Sequence, residues 1–324
     1  MATLVLNKPK TTQEIAGLFK QPLSLTVIIL TFNEEIHIER CIQRLNHLAW
    51  RIIVVDSFSA DRTASIAKGL GAEVIQRAFK SHSDQFQWAL DNCTVTTDWV
   101  LRMDADEYLE PAALEEIKTR LPSLPPEITG IILKRKFIFM GRWIRSGGYY
   151  PTLLLRLWRP GAARIERRWM DEHAVLTSGK AITFANGDIV DENLSGIDFW
   201  MAKHNRYATL QMVDFVNREY PLFCIDRDLE EHGHGKSRWR RFLRNQVYAR
   251  TPLYFRSIAY FLYRYFVRLG FLDGRQGLVF HALQGLCYML LTDAKIQEAR
   301  NFIAMRGTVA FRQHLLKRHG IDVQ

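Results

Sequence analysis

Residues 24–31 (SLTVIILT) form an unbroken apolar run rich in β-branched side chains. A run that does not alternate with polar residues marks a strand covered on both faces. Asn33 stands where it can cap a following helix, with Glu34 and Glu35 in a first turn that suits the helix dipole. Ile38, Ile42, Leu45 and Leu48 then recur at helical spacing. The pattern continues with a second buried strand at 52–56, a helix over about 61–70, a short strand at 72–76 and a helix over 83–92. A strand follows at 99–106, and Pro111 opens a further helix. Strand and helix alternating through short connections predict a parallel sheet with right-handed crossovers.

After residue 125 the rhythm changes. Segments 129–139, 153–158 and 181–185 read as strands separated by irregular loops rich in Gly and Arg, and from 197 the chain reads as helical to its end. This divides the chain into an N-terminal extension (1–23), an α/β domain (24–196) and a helical region (197–324).

With 324 residues, 48% of them hydrophobic and 24% charged, the chain is long enough for a sizeable core and its composition is that of a globular protein. Its four cysteines lie far apart, without a CxxC pair, which predicts a reduced, cytoplasmic protein rather than a disulfide scaffold or zinc knuckle. No signal-peptide pattern and no run of 18 uncharged apolar residues stands out. The net charge of +10 is concentrated: residues 236–270 carry nine Lys or Arg and no acid, so the remainder is close to neutral.

In an open parallel sheet, ligands bind beyond the carboxyl ends of the strands. Thr31 and Asn33 follow the first predicted strand, Asp56 ends the second, and Asp104-Ala105-Asp106 ends the fourth. A lone strand-terminal Asp is as often a turn or cap residue, but three such ends point to one crevice. In an extended segment residues i and i+2 share a face, so Asp104 and Asp106 can act together on a magnesium or manganese ion that carries a diphosphate.

The segments TFNEE (31–35), VVDSFSADRT (54–63) and MDADE (103–107), in this order and spacing, resemble the inverting family 2 glycosyltransferases of the GT-A fold. The resemblance implies a Rossmann-like α/β fold with a mainly parallel sheet, a nucleotide-sugar donor (a UDP-sugar first) and a divalent metal. It assigns Thr31, Asn33 and Glu35 to the border of the base, Asp56 to the base or ribose, Asp104 to the donor and metal, and Asp106 to the metal. One departure is Phe58-Ser59-Ala60, where the family has Gly-Ser-Thr. The family carries its catalytic carboxylate in an acidic motif downstream. Met170-Asp171-Glu172-His173 matches that position, with Glu172 favoured as the base and Asp171 the alternative. A sugar nucleotidyltransferase is the rival enzyme, but TFNEE lacks the glycine-rich loop expected of one. A non-catalytic nucleotide-binding scaffold is the rival outside enzymes.

In the loop 142–151, Gly147 and Gly148 permit close backbone approach, and Arg145 and Arg156 are candidates for an anionic acceptor. His232 and His234 read as a loop, not a metal site. Residues 236–270 interleave their nine cations with ten aromatics. This predicts attachment to an anionic membrane surface, on the inner face of the cytoplasmic membrane, in preference to a homo-oligomer interface or a nucleic-acid surface. The turn FLDG-x-x-G (271–277) and the apolar helix after it resemble a bacterial subfamily of lipopolysaccharide-core and exopolysaccharide transferases. That likeness implies a lipid-linked or saccharide acceptor.

Overall fold

The computed structural model describes residues 22–166, 173–223 and 251–322. Asp171, Glu172, His232, His234, the extension up to residue 21 and the cations of 236–250 lie outside the described residues.

β1 (Leu23–Thr31) is the centre of the first half-sheet, flanked by β2 (Ala49–Asp56) and, on its other side, β4 (Trp99–Asp104), with β3 (Glu73–Gln76) outermost. All three pairings are parallel. The unbroken apolar run has a direct structural cause. Val27 and Ile29 of β1 and Val54 of β2 enter the core beneath α1 (Ile38–Leu45), while Ile28, Ile53 and Val55 enter the opposite core beneath α3 (His82–Asn92). Because successive side chains alternate faces, a strand clad on both sides must be apolar throughout.

α2 (Thr63–Gly69) connects β2 to β3, and α4 (Pro111–Arg120) adds Ala113 and Ile117 to the first core. Beyond β4 the expected parallel sheet becomes mixed. β8 (Thr152–Trp158) enters antiparallel between β4 and β6 (Ile128–Phe139), and β11 (Lys180–Glu192) lies parallel to β6. A short β5 (Glu107–Leu109) pairs antiparallel with β11, and β7 (Arg142–Trp143) pairs with β6. Two antiparallel steps restore direction, so β11 runs parallel to β4 and their carboxyl ends share one edge. β9 (Ala163–Ile165) and β10 (Ala174–Leu176) form a separate hairpin, its ends tied by Glu166 N–H to His173 O at 3.0 Å.

α5 (Gly196–Glu219) begins the helical region and packs on the long α8 (Tyr288–His319) through Val213, Val216, Ile296 and Ile303. α8 breaks at Gly307, whose φ of 79° is non-helical. Between them, α6 (Phe255–Leu262) and α7 (Gly274–Phe280) are joined by irregular turns. Two details differ from expectation. Asn33 caps no helix: it sits at φ 56°, and α1 starts only at Ile38. Arg256 and Arg264, expected at a wet interface, are buried, Arg256 paired with Asp293 and Arg264 donating to the Gly147 carbonyl. No described helix is long and apolar enough to cross a membrane.

Candidate active site

The loops after β1 and β2 lock together. Thr31 Oγ1 donates to Asp56 Oδ1 at 2.9 Å, and Ser59 N–H donates to Asp56 Oδ2 at 2.9 Å. Asn33 N–H donates to Ser59 Oγ at 2.9 Å and Ala60 N–H returns to Asn33 Oδ1 at 2.8 Å. Glu35 Oε2 accepts from Arg62 N–H at 3.1 Å. Thr31, Asn33, Glu35 and Asp56 are thus brought together around a buried carboxylate with an exposed rim. Phe58 explains the departure from Gly: it adopts φ 58°, the left-handed conformation a glycine takes freely, and its ring is exposed beyond the loop.

At the end of β4 the carboxylates are set in charge. Arg156, on β8, donates from Nη2 to Glu107 Oε1 at 2.5 Å and to Asp104 Oδ2 at 3.4 Å. Asp104 N–H also donates to Glu107 Oε2 at 3.0 Å. Burial works against the Asp104 charge, but Arg156, Arg102, His82 and Lys203 outweigh it and hold the carboxyl well below the usual carboxylate range. Glu107 goes the other way: burial, with Asp104 and Asp191 nearby, pushes its pKa up to about 8 against the pull of Arg156.

Asp106 Oδ2 accepts from Asn193 Nδ2 at 3.1 Å and lies 3.9 Å from Lys203 Nζ, on α5. Asp191, near the end of β11, lies 3.4 Å from Arg135 Nη1. Burial and the neighbouring Asp106 raise the Asp191 pKa to about 6. Burial disfavours the Lys203 ammonium, yet Tyr207, Asp106, Asp191 and Glu34 keep it charged well above its ordinary range. Arg40 closes the far side, donating to Glu192 Oε2 at 2.7 Å and to Asp106 O at 3.1 Å.

The structure therefore unites Asp104 and Asp106 with residues not singled out in the sequence: Glu107, Asp191, Asn193 and Lys203. The signal for Asp191 was the Asp-Glu-Asn that ends a strand, the same rule that found Asp56. Lys203 had none, as one lysine on a long helix. Arg156 faces inward to the carboxylates rather than outward to an acceptor, because β8 carries it beneath β4. Arg145 is exposed and lies over the Trp143 ring at 5.3 Å.

Two clusters of strand-end side chains, one around the buried Asp56 and one joining Asp104, Asp106 and Asp191, stand along the carboxyl edge of the sheet. Residues 26–186 match the profile of glycosyl transferase family 2. They are a glycosyl transferase family 2 domain. Over 281 residues the transferase is 28% identical to the lipopolysaccharide core biosynthesis glycosyltransferase LpsC of Rhizobium meliloti (strain 1021), covering 85% of this chain and 93% of that one. It is 39% identical over 94 residues to an uncharacterized glycosyltransferase of Rickettsia typhi, spanning 32% of that protein. Among solved structures it is similar to glucosyl-3-phosphoglycerate synthase from Mycobacterium tuberculosis in complex with Mn2+, UDP and glucosyl-3-phosphoglycerate. That likeness has 20% identity and a TM-score of 0.29, covering 41% of this chain and 51% of that one. The chain is a glycosyltransferase, related to an enzyme of lipopolysaccharide core assembly.

Proposed function

We propose that the transferase moves a sugar with inversion from a nucleotide sugar, a UDP-sugar first, to a lipid-linked or lipopolysaccharide-type saccharide. The observation that carries this reading is the convergence of Asp104, Asp106, Asp191 and Lys203 at one strand-end edge, beside the Thr31–Asp56 pocket. Asp56, Thr31, Asn33 and Glu35 hold the base and ribose. Asp104 and Asp106 hold magnesium or manganese. Their donor set fits: carboxylate oxygens suit a hard divalent cation that completes its shell with phosphate oxygens and water. Among the described residues no three His, Cys, Asp or Glu form a metal cage. When bound, the ion serves as a Lewis acid for the leaving diphosphate.

Lys203 adds a charge from the chain itself beside that diphosphate. Glu172, with Asp171 as its alternative, takes the acceptor hydroxyl proton as the oxygen attacks the anomeric carbon. Such a base is worth about 10²–10⁴-fold. The transition state is oxocarbenium-like, as in glycoside hydrolysis. Arg145 meets the acceptor, and the cations of 236–250 hold the enzyme to an anionic leaflet on the cytoplasmic side, each worth about 1 kcal/mol.

A hydrolysis and transfer assay across UDP-, GDP- and ADP-sugars with manganese tests this reading. Metal-dependent release of a nucleoside diphosphate from one donor supports it. Binding of the nucleotide with no turnover on any donor would make the chain a scaffold.

A further inference from the structure

The segment from α6 to α7 is inside out. On α6 the buried residues are Arg256 and Ser257, while Phe255, Ile258 and Leu262 face outward. The outward stripe continues at helical spacing to Phe266. It widens through Val267, Leu269, Phe271 and Leu272 to Leu278 on α7. Phe255 is 65% and Val267 69% exposed, whereas Arg256 is 3% and its partner Asp293 0% exposed.

The interior side is polar, and most of its groups are paired. Asp293 accepts from Arg256 Nε, Ser257 Oγ and Tyr254 N–H, each at 2.8 Å. Arg264 donates to Gly147 O at 2.8 Å, and buried Asp273 accepts from Ser146 N–H at 2.8 Å. A segment that buries Arg256, Arg264 and Asp273 and turns phenylalanines, leucines and valine outward along 255–278 exposes apolar surface of the kind that marks an interaction site.

We infer that this α6–α7 face is a shelf that inserts its apolar side chains into the headgroup–acyl boundary of a lipid bilayer. It deepens the membrane part of the reading above, and it rests on that part alone. Charge selects lipid over a second copy of this chain. Within 251–280, all described, the one acid is the buried Asp273, and the exposed charges are Arg268 and Arg275. Residues 236–250, next in the chain, add six cations and no acid. A self-pairing face would bring Arg268 and Arg275 near their own copies, whereas anionic headgroups neutralise them.

The shelf is also tied to the catalytic edge. Gly147 N–H donates to Arg268 O at 2.9 Å. A Cβ on Gly147 would lie 2.1 Å from a His281 ring atom, so only glycine allows this approach. Tyr149, under Arg264, packs on Phe137 of β6 with ring centroids 5.6 Å apart. Phe137 lies two residues beyond Arg135, the partner of Asp191. A bilayer touching the shelf thus lies beside the 145–149 loop, where a membrane-embedded acceptor would present its sugar.

Flotation of the full chain with phosphatidylcholine vesicles in about 1 M NaCl isolates apolar insertion, because charges are then screened beyond roughly 3 Å. The chain should float. Combined Phe255→Gln, Ile258→Gln, Leu262→Gln and Phe266→Gln should lower partitioning by at least about tenfold, since burial of one such side chain is worth that factor. Thermal unfolding and UDP–manganese binding should be retained. Val267→Asp should weaken partitioning in the same direction. The proposal is overturned if the parent stays unbound, if these variants float as well as the parent, or if the parent is a dimer that they split. The basic segment is read separately, as the gain on adding phosphatidylglycerol at low salt, and transfer as turnover of a soluble saccharide acceptor.

Discussion

One guanidinium nitrogen, Arg156 Nη2, lies 2.5 Å from Glu107 Oε1 and 3.4 Å from Asp104 Oδ2. It thereby joins a carboxyl that burial raises to one that neighbouring cations lower. Arg156 and Glu107 are both nearly inaccessible. Breaking a buried pair by removing one member typically costs about 3–5 kcal/mol, and here it leaves both Glu107 and the charged Asp104 without their guanidinium partner. Arg156→Met should therefore lower the melting temperature by roughly 6–20 °C, read by calorimetry, and Arg156→Lys should recover only part of that. An unchanged melt for Arg156→Met would show that the pair carries no net stability.

Removing the strand-end aspartates should weaken metal-dependent donor binding. Asp106→Ala should abolish manganese-dependent binding of UDP in titration calorimetry. Asp104→Ala should reduce it by at least about tenfold, the loss of one charge-assisted contact. Either variant binding UDP as the parent does would move the metal elsewhere.

Glu172→Gln should keep donor affinity while kcat falls by about 10²–10⁴-fold, the usual range for a lost general base. Asp171→Asn should be milder. The opposite order in steady-state kinetics would transfer the role to Asp171.

The pH response should carry the mark of Asp191. Its folded pKa of about 6 lies above its ordinary value, so the folded state binds the extra proton. Its contribution to stability is complete below the unfolded pKa and is lost as pH rises through about 6. Glu107, raised to about 8, extends the loss upward. In metal-free buffer the melting temperature of the parent should fall from pH 5 to pH 8, and Asp191→Asn should flatten the lower part of that slope. A parent melt that rises over the same interval would contradict the sign.

The parallel first half of the sheet was legible because its cause is local. A strand clad on both faces must be apolar throughout, as 24–31 and 52–56 are, and α1 had to cover them with Ile38, Ile42 and Leu45. Asp56, Asp104 and Asp106 were legible for a related reason: they are the first polar groups after such strands, so any parallel pairing brings them to one edge. Asp191 stood under the same rule, but the irregular stretch after 125 hid the strand that carries it.

What the sequence by itself determined is the class of chemistry: which residues end the buried strands, in what order, and a family resemblance that the match over 26–186 bears out. Only the tertiary structure decided which of those groups are charged and which way the arginines face. β8 inserts antiparallel between β4 and β6 and carries Arg156 under Asp104. α5 brings Lys203 within 3.9 Å of Asp106 across 97 positions of chain. Asp293 draws Arg256 inward and leaves Phe255 and Ile258 in the open. Local patterns record how each segment partitions between water and an apolar surface. The partner that neutralises a buried charge comes from a distant segment, and that pairing exists only once the chain has closed on itself.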